Sequence, residues 1–231
     1  MSEKLLALET STMACSAALY ADGRVEERYA LAPRQHASLI LPMLESLLVE
    51  ADLAVGQLDA VAFGCGPGSF TGVRIAASVA QGVSFGAGLP VLPVSSLAAL
   101  ALGAIRESGE PAVMAAQDAR KAEVYWGCYR RADKKGVALH GEECVCAPGA
   151  VPVPLDGNWV GAGSGWQVHA DILLRRPGGS VVRLLPDLEP HAGDVARLAL
   201  HALRAGMAVA PEAALPVYLR NNVADEGAVG K

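Results

Sequence analysis

Ala60-Val61-Ala62-Phe63-Gly64-Cys65-Gly66-Pro67-Gly68-Ser69-Phe70-Thr71-Gly72 passes from an apolar run through closely spaced glycines into a pattern with helical spacing. The apolar run reads as a strand and the glycines as a tight turn. Thr71 to about Phe85 reads as a helix, and Pro90 to Val94 as the next strand. A strand, glycine turn, helix and strand in succession are the unit of an α/β fold.

The same periods continue outward. Upstream, Leu5–Leu8, Cys15–Ala21 and Val25–Ala30 read as strands, the last two joined by Asp22-Gly23 at hairpin spacing. From His36 to Glu50, Leu39, Ile40, Met43, Leu44, Leu47 and Leu48 recur as on an amphipathic helix, with Pro42 tolerable near its start or at a kink. Downstream, Ser95 or Ser96 can cap a helix running to about Arg106. The first half is therefore βββαβαβα.

The second half repeats much of this plan. Ala112–Ala116, Glu123–Tyr129 and Val137–Glu143 read as strands, with a turn at Asp133–Gly136. Trp159–Gly161 and Val181–Leu185 are further strands, and Trp166–Leu174 and His191–Ala205 are helices. Ser108-Gly109-Glu110-Pro111 marks the boundary, giving lobes at 1–108 and 109–231, while Pro-rich Ala147–Gly157 reads as an irregular excursion. The tail after Val223 is polar and small and is expected to be mobile.

Composition narrows the function. The 231 residues are 52% hydrophobic with only 5% aromatic, as in a folded body rich in small side chains. A net charge of −5, with no basic block longer than pairs such as Lys134-Lys135 or Arg175-Arg176, argues against autonomous binding to nucleic-acid phosphates. Five cysteines, at 15, 65, 128, 144 and 146, include no CxxC pair and fit reduced thiols in the cytoplasm; Cys144-x-Cys146 is the one close pair. The apolar start is too short for a signal peptide, and no apolar run is long enough to span a membrane.

The glycine turn invites an anion-binding reading, with Gly66, Gly68, Ser69, Phe70, Thr71 and Gly72 as candidates at a helix N-terminus. It lacks the Lys-Ser/Thr of a P-loop, and no acidic residue stands after the next strand to meet a ribose. A purely structural turn explains the glycines equally well. Gly72, Ala76, Ala80 and Ser84 then recur every four residues, with Ser78, Gly82 and Gly86 on an adjacent line. Such a stripe fits either close packing on a sheet or a helix-mediated subunit contact. Leu39, Ile40, Met43 and Leu47 of the preceding helix, with Arg74, complete the candidate interface. His36, His140, His169, His191 and His201 form no metal-ligand spacing, and no G-x-S-x-G elbow is present.

Five segments together resemble the TsaB (YeaZ) family: LALETST at 6–12, Arg34-Gln35-His36 leading into LILPMLESLL, FGCGPGSFTGVRIAAS at 63–78, LPVLPVSSLAALA at 89–101, and LPVYLRNNVA at 215–224. The resemblance implies a duplicated actin-like, Hsp70-like α/β fold of two lobes, each a mixed sheet flanked by helices, with 215–224 packing back on the first lobe. In duplicated actin-like folds the turns at Glu9-Thr10-Ser11-Thr12 and Asp118-Ala119-Arg120 face a nucleotide from both lobes, although ordinary turn chemistry accounts for these residues as well.

It also implies kinship with the TsaD/Kae1 transferases, whose metal is held by two histidines on the helix after the strand ending here at Val94. Those places fall near Ser96 and Leu100, which cannot replace imidazoles, and Glu9 stands where an aspartate is usual. The expectation is a non-catalytic scaffold without a cofactor. It pairs with a TsaD-like transferase through the helices of its first lobe, is joined by a TsaE-like ATPase, meets tRNA only through the complex, and forms a homodimer in isolation. The rival expectation is an actin-like metallopeptidase or nucleotide hydrolase.

Overall fold

The computed structural model describes residues 3–132, 136–176 and 178–220. The turn expected at Asp133–Gly136 lies outside these except for Gly136, as do the tail after Val223 and residues 221–224 of the C-terminal segment.

The chain runs β1 (Leu5–Glu9), β2 (Ala14–Ala21), β3 (Arg24–Leu31), α1 (His36–Glu50), β4 (Ala60–Gly66), α2 (Phe70–Ala87), β5 (Val91–Ser95) and α3 (Ser96–Ser108). It continues through β6 (Ala112–Arg120), β7 (Glu123–Arg131), β8 (Val137–Cys146), β9 (Asn158–Ala162), α4 (Ser164–Leu173), β10 (Ser180–Leu185) and α5 (Ala192–Arg204). The expected βββαβαβα order holds in the first half. Ser95 is the cap of α3, its hydroxyl accepting the Ala98 amide, and Gly109 ends that helix with φ of 80°. Pro42 sits within α1, whose buried side is His36, Ile40, Leu44, Leu47 and Leu48. β6 continues beyond its apolar run to Arg120 because Gln117 to Arg120 still pair with β7.

Two five-stranded sheets share one plan. The first has the order β3-β2-β1-β4-β5, the second β8-β7-β6-β9-β10. In each, the three meander strands are antiparallel, and the first of them is parallel to the fourth strand, itself parallel to the fifth. This is the duplicated actin-like arrangement.

Side-chain alternation decides what covers each sheet. Leu6 and Leu8 of β1 face α1 and α2 through Ile40, Leu44, Ala76 and Ala80, whereas Leu5 and Ala7 face Ala192, Val195, Ala196 and Ala199 of α5. In the second sheet, Val113 and Ala115 face Leu97, Leu100 and Ala101 of α3, and Met114 and Ala116 face the side of α4. The boundary near 108 therefore divides the sheets but not the helices, since α3 lies on the second sheet and α5 on the first. Arg106 of α3 meets Asp194 of α5 at 2.6 Å, and the α5 start is fixed to the first sheet by Ala192 N–H to Ser16 Oγ and Gly193 N–H to Glu27 Oε1.

No helix equivalent to α1 stands between β8 and β9. Its place is taken by the Pro-rich excursion, which contains one 3-10 turn at Pro148–Ala150 and buries Val151 against the second sheet. Trp126 and Trp159 donate their indole N–H groups to the carbonyls of Pro152 and Asp156, so irregular backbone satisfies the aromatic core it covers.

Candidate functional site

The glycine turn lies against the turn after β1. Ser69 caps α2 by accepting the Gly72 amide, Ser69 N–H donates to Ser11 O at 2.7 Å, and the Thr10 hydroxyl donates to Gly72 O at 2.7 Å. A Cβ on Gly72 would lie 2.0 Å from Thr10 O, and one on Gly68 2.6 Å from Ser11 O. At Gly66, φ is 104° and an added Cβ would come within 2.9 Å of Val217 O. At Gly66, Gly68 and Gly72, all expected in an anion cradle, the protein's own backbone comes too close to leave room for a side chain. Ser69 is engaged in capping, and Ser69, Phe70 and Thr71 are all exposed at the helix start.

Glu9, at the end of β1, is fully buried. Its Oε1 accepts the Ser11 amide and its Oε2 accepts the Ser96 hydroxyl, each at 2.7 Å. A side chain at Gly64 would collide with this carboxylate, so the glycine makes room for it. Burial pushes the Glu9 carboxyl above its ordinary range, with the hydrogen bonds from Ser96 and Ser11 opposing the shift. The unfolded chain then loses this proton first, and stability falls as pH rises above the ordinary value of 4.5. Glu9→Gln keeps the shape without the charge. Its melting temperature relative to wild type is expected to climb between pH 4.5 and 7 in thermal unfolding followed by circular dichroism, and a difference independent of pH would contradict the assignment.

Leu100, the other position of interest on α3, is fully buried with its Cδ2 beside Gly163. Neither the Ser96 hydroxyl, committed to Glu9, nor the Leu100 isobutyl group fits the two-imidazole metal set. Among the described residues no group of three or more His, Cys, Asp or Glu side chains is arranged to hold a metal ion. At the corresponding strand end of the second lobe, within β6, Asp118 Oδ1 accepts the Arg120 amide, and Asp118 N–H donates to Ser164 Oγ.

The outward side of the first lobe is formed by α1 and α2. Of the residues expected there, Arg74 is exposed and Leu39 and Met43 are half-buried. Ile40, Leu47, Gly72, Ala76, Ala80 and Ser84 are buried against the chain's own core and cannot be surface contacts. The line presented outward is Ser78, Gly82 and Gly86. Beside it Phe85 is 81% exposed, and α1 adds Leu41 and Val49. Phe85, absent from the expected set, interrupts a run of small residues, which is the signal that marks it.

At the start of α2, the Arg74 guanidinium lies 3.5 Å over the Phe70 ring and its Nε donates to Tyr218 Oη at 2.8 Å. Tyr218 belongs to a C-terminal strap: Val217 N–H donates to Cys65 O, Gln81 Nε2 to Ala214 O, and Arg220 reaches Ala119 O and Glu123 of the second lobe. The strap thus joins α2 to the β6–β7 turn. Among the described residues no helix is long and apolar enough to cross a membrane.

The chain is similar along nearly its whole length to proteins already known. A family model described as TsaD, tRNA N6-adenosine threonylcarbamoyltransferase, matches residues 29–228. The tRNA threonylcarbamoyladenosine biosynthesis protein TsaB of Escherichia coli (strain K12) is 45% identical over 233 residues, covering 99% of both chains. The protein of the same name from Haemophilus influenzae is 39% identical over 229 residues, covering 95% of this chain and 94% of its own. Among solved structures, YeaZ from Pseudomonas aeruginosa superposes with a TM-score of 0.88 at 50% identity, covering 94% of this chain and all of that one.

Proposed function

The chain belongs to the TsaB (YeaZ) family of tRNA threonylcarbamoyladenosine biosynthesis proteins, and from that premise we propose that it is the family's non-catalytic scaffold. It binds and positions a TsaD-like transferase, a TsaE-like ATPase joins the pair, and tRNA is met by the assembled complex. Alone, the chain forms a homodimer through the same face and needs no cofactor.

One observation carries the absence of chemistry. Where the resemblance to the transferases calls for metal-binding imidazoles, Ser96 is hydrogen-bonded to Glu9 and Leu100 is sealed in the core. Pairing is supported by the outward side of α1 and α2. There Leu41, Val49 and Phe85 leave apolar surface uncovered, and Ser78, Gly82 and Gly86 allow a facing helix to come near.

Reconstitution tests the reading. With tRNA and a threonylcarbamoyl donor, the purified chain alone is expected to transfer nothing, whereas adding it to a TsaD-like transferase and a TsaE-like ATPase should restore transfer that the two lack without it. Modification of tRNA by the chain alone, or full activity of the other proteins in its absence, would overturn the proposal.

A further inference from the structure

The start of α5 is capped from outside the helix. His191 stands at the cap position, but its side chain makes no bond to the helix amides, and the acceptors come from the first sheet. Glu27 Oε1, on the open edge strand β3, accepts the Gly193 amide at 2.8 Å, and Ser16 Oγ of β2 accepts the Ala192 amide at 2.9 Å. A carboxylate in that place also meets the positive end of the helix dipole. The second Glu27 oxygen lies 3.2 Å from His191 Nδ1. The imidazole is stacked on the ring of Tyr29, also on β3, with centroids 4.5 Å apart and planes 7° from parallel. Flanked by Glu27 and Tyr29, this one ring holds the remote cap in place.

Charged groups reach the pair from every element packed on it. They are Tyr29 on β3, Asp187 and Glu189 before α5, Asp194 and Arg197 on α5, and Arg106 on α3. The bond to Glu27 raises His191 above its ordinary 6.5; burial opposes this and Asp194 adds to it. Burial disfavours the Glu27 charge, but the bonds from His191 and Gly193 outweigh it and hold the carboxyl below its ordinary 4.5. The contribution of the imidazolium is therefore complete below pH 6.5 and is lost as pH rises through its folded value.

We propose that Glu27 and His191 form a proton-operated latch, which fastens the start of α5 to the edge of the first sheet and loosens as pH climbs through the neutral range. The helix it governs covers Leu5 and Ala7 of the first sheet and, through Asp194, meets Arg106 of the helix that lies on the second.

NMR of the full-length protein reads both parts of the latch. The His191 ring is expected to titrate above 6.5, and Glu27→Gln should lower that midpoint. Exchange of the Ala192 and Gly193 amides, corrected for the intrinsic rate, should quicken about threefold or more between pH 6 and 8. His191→Gln keeps an N–H donor without a titrating group and should abolish that pH dependence; far-UV circular dichroism checks that both variants are folded. A His191 midpoint at or below 6.5, a midpoint unmoved by Glu27→Gln in folded protein, or corrected exchange at Ala192 and Gly193 that ignores pH overturns the latch.

Discussion

Gly82→Arg is expected to yield a more stable chain that no longer pairs. Gly82 is exposed in the middle of α2, and nothing lies within 4 Å of a Cβ added there. Glycine in a helix interior costs about 0.5–1 kcal/mol relative to alanine, and arginine is nearly as good a helix former. The melting temperature should therefore rise by about 1–4 °C. On the outward side, where we propose that the transferase docks, a long charged side chain replaces a hydrogen and would hold a facing helix away. Loss of a central contact of this kind should weaken binding to the transferase by more than about 2 kcal/mol, or roughly thirtyfold. Calorimetric titration with the transferase reads the second effect and thermal unfolding the first. An unchanged Kd would move the interface off α2. Ala76→Arg forms the contrast: Ala76 is fully buried against the sheet, so arginine there should unfold the lobe instead of only separating the partners.

Gly72→Ala should destabilise the chain by about 3 kcal/mol or more, although it adds a single methyl group. That methyl would stand 2.0 Å from the Thr10 carbonyl oxygen, a backbone atom tied to the first sheet, while the Thr10 hydroxyl holds Gly72 O from the other side. Neither partner is the free end of a side chain that could swing away. A loss of this size lowers the melting temperature by about 6–12 °C in a chain of this length. Gly86→Ala, in the same helix with open space around it, provides the control and should be neutral or stabilising. A Gly72→Ala loss below about 1 kcal/mol in urea unfolding would mean that the turn yields easily.

These two positions show how far the amino-acid pattern could be read. That a tight strand-to-helix turn falls between Gly64 and Gly72 was legible, because glycine spacing and the onset of helical period are local. What each glycine admits was not, since Thr10, Ser11 and Val217 are remote in the chain. The small-residue stripe of α2 was visible, but the side it faces was ambiguous. In a helix built from Gly, Ala and Ser, both the Gly72–Ser84 line and the Ser78–Gly86 line are small, and only contact with Leu6, Leu8 and Phe63 distinguishes them. α3 and α5 were each legible as helices, yet neither reveals which sheet its apolar side will choose. The link from Glu9 to Ser96 spans 87 residues and has no sequence signal beyond a polar residue at the end of one apolar strand and another just after a second.

The crossing of α3 and α5 between the sheets also governs how the molecule can be made. On the ribosome, the first sheet is complete in sequence at Ser95, but the helix that shields Leu5, Ala7, Tyr20 and Leu92 ends only at Arg204. At about 5–20 residues per second, that apolar side stays uncovered for roughly 5–20 s of synthesis. The nascent first lobe therefore cannot finish folding by itself, and a truncation that removes α5 strips the N-terminal sheet of a cover that begins 97 residues beyond the sheet's last strand.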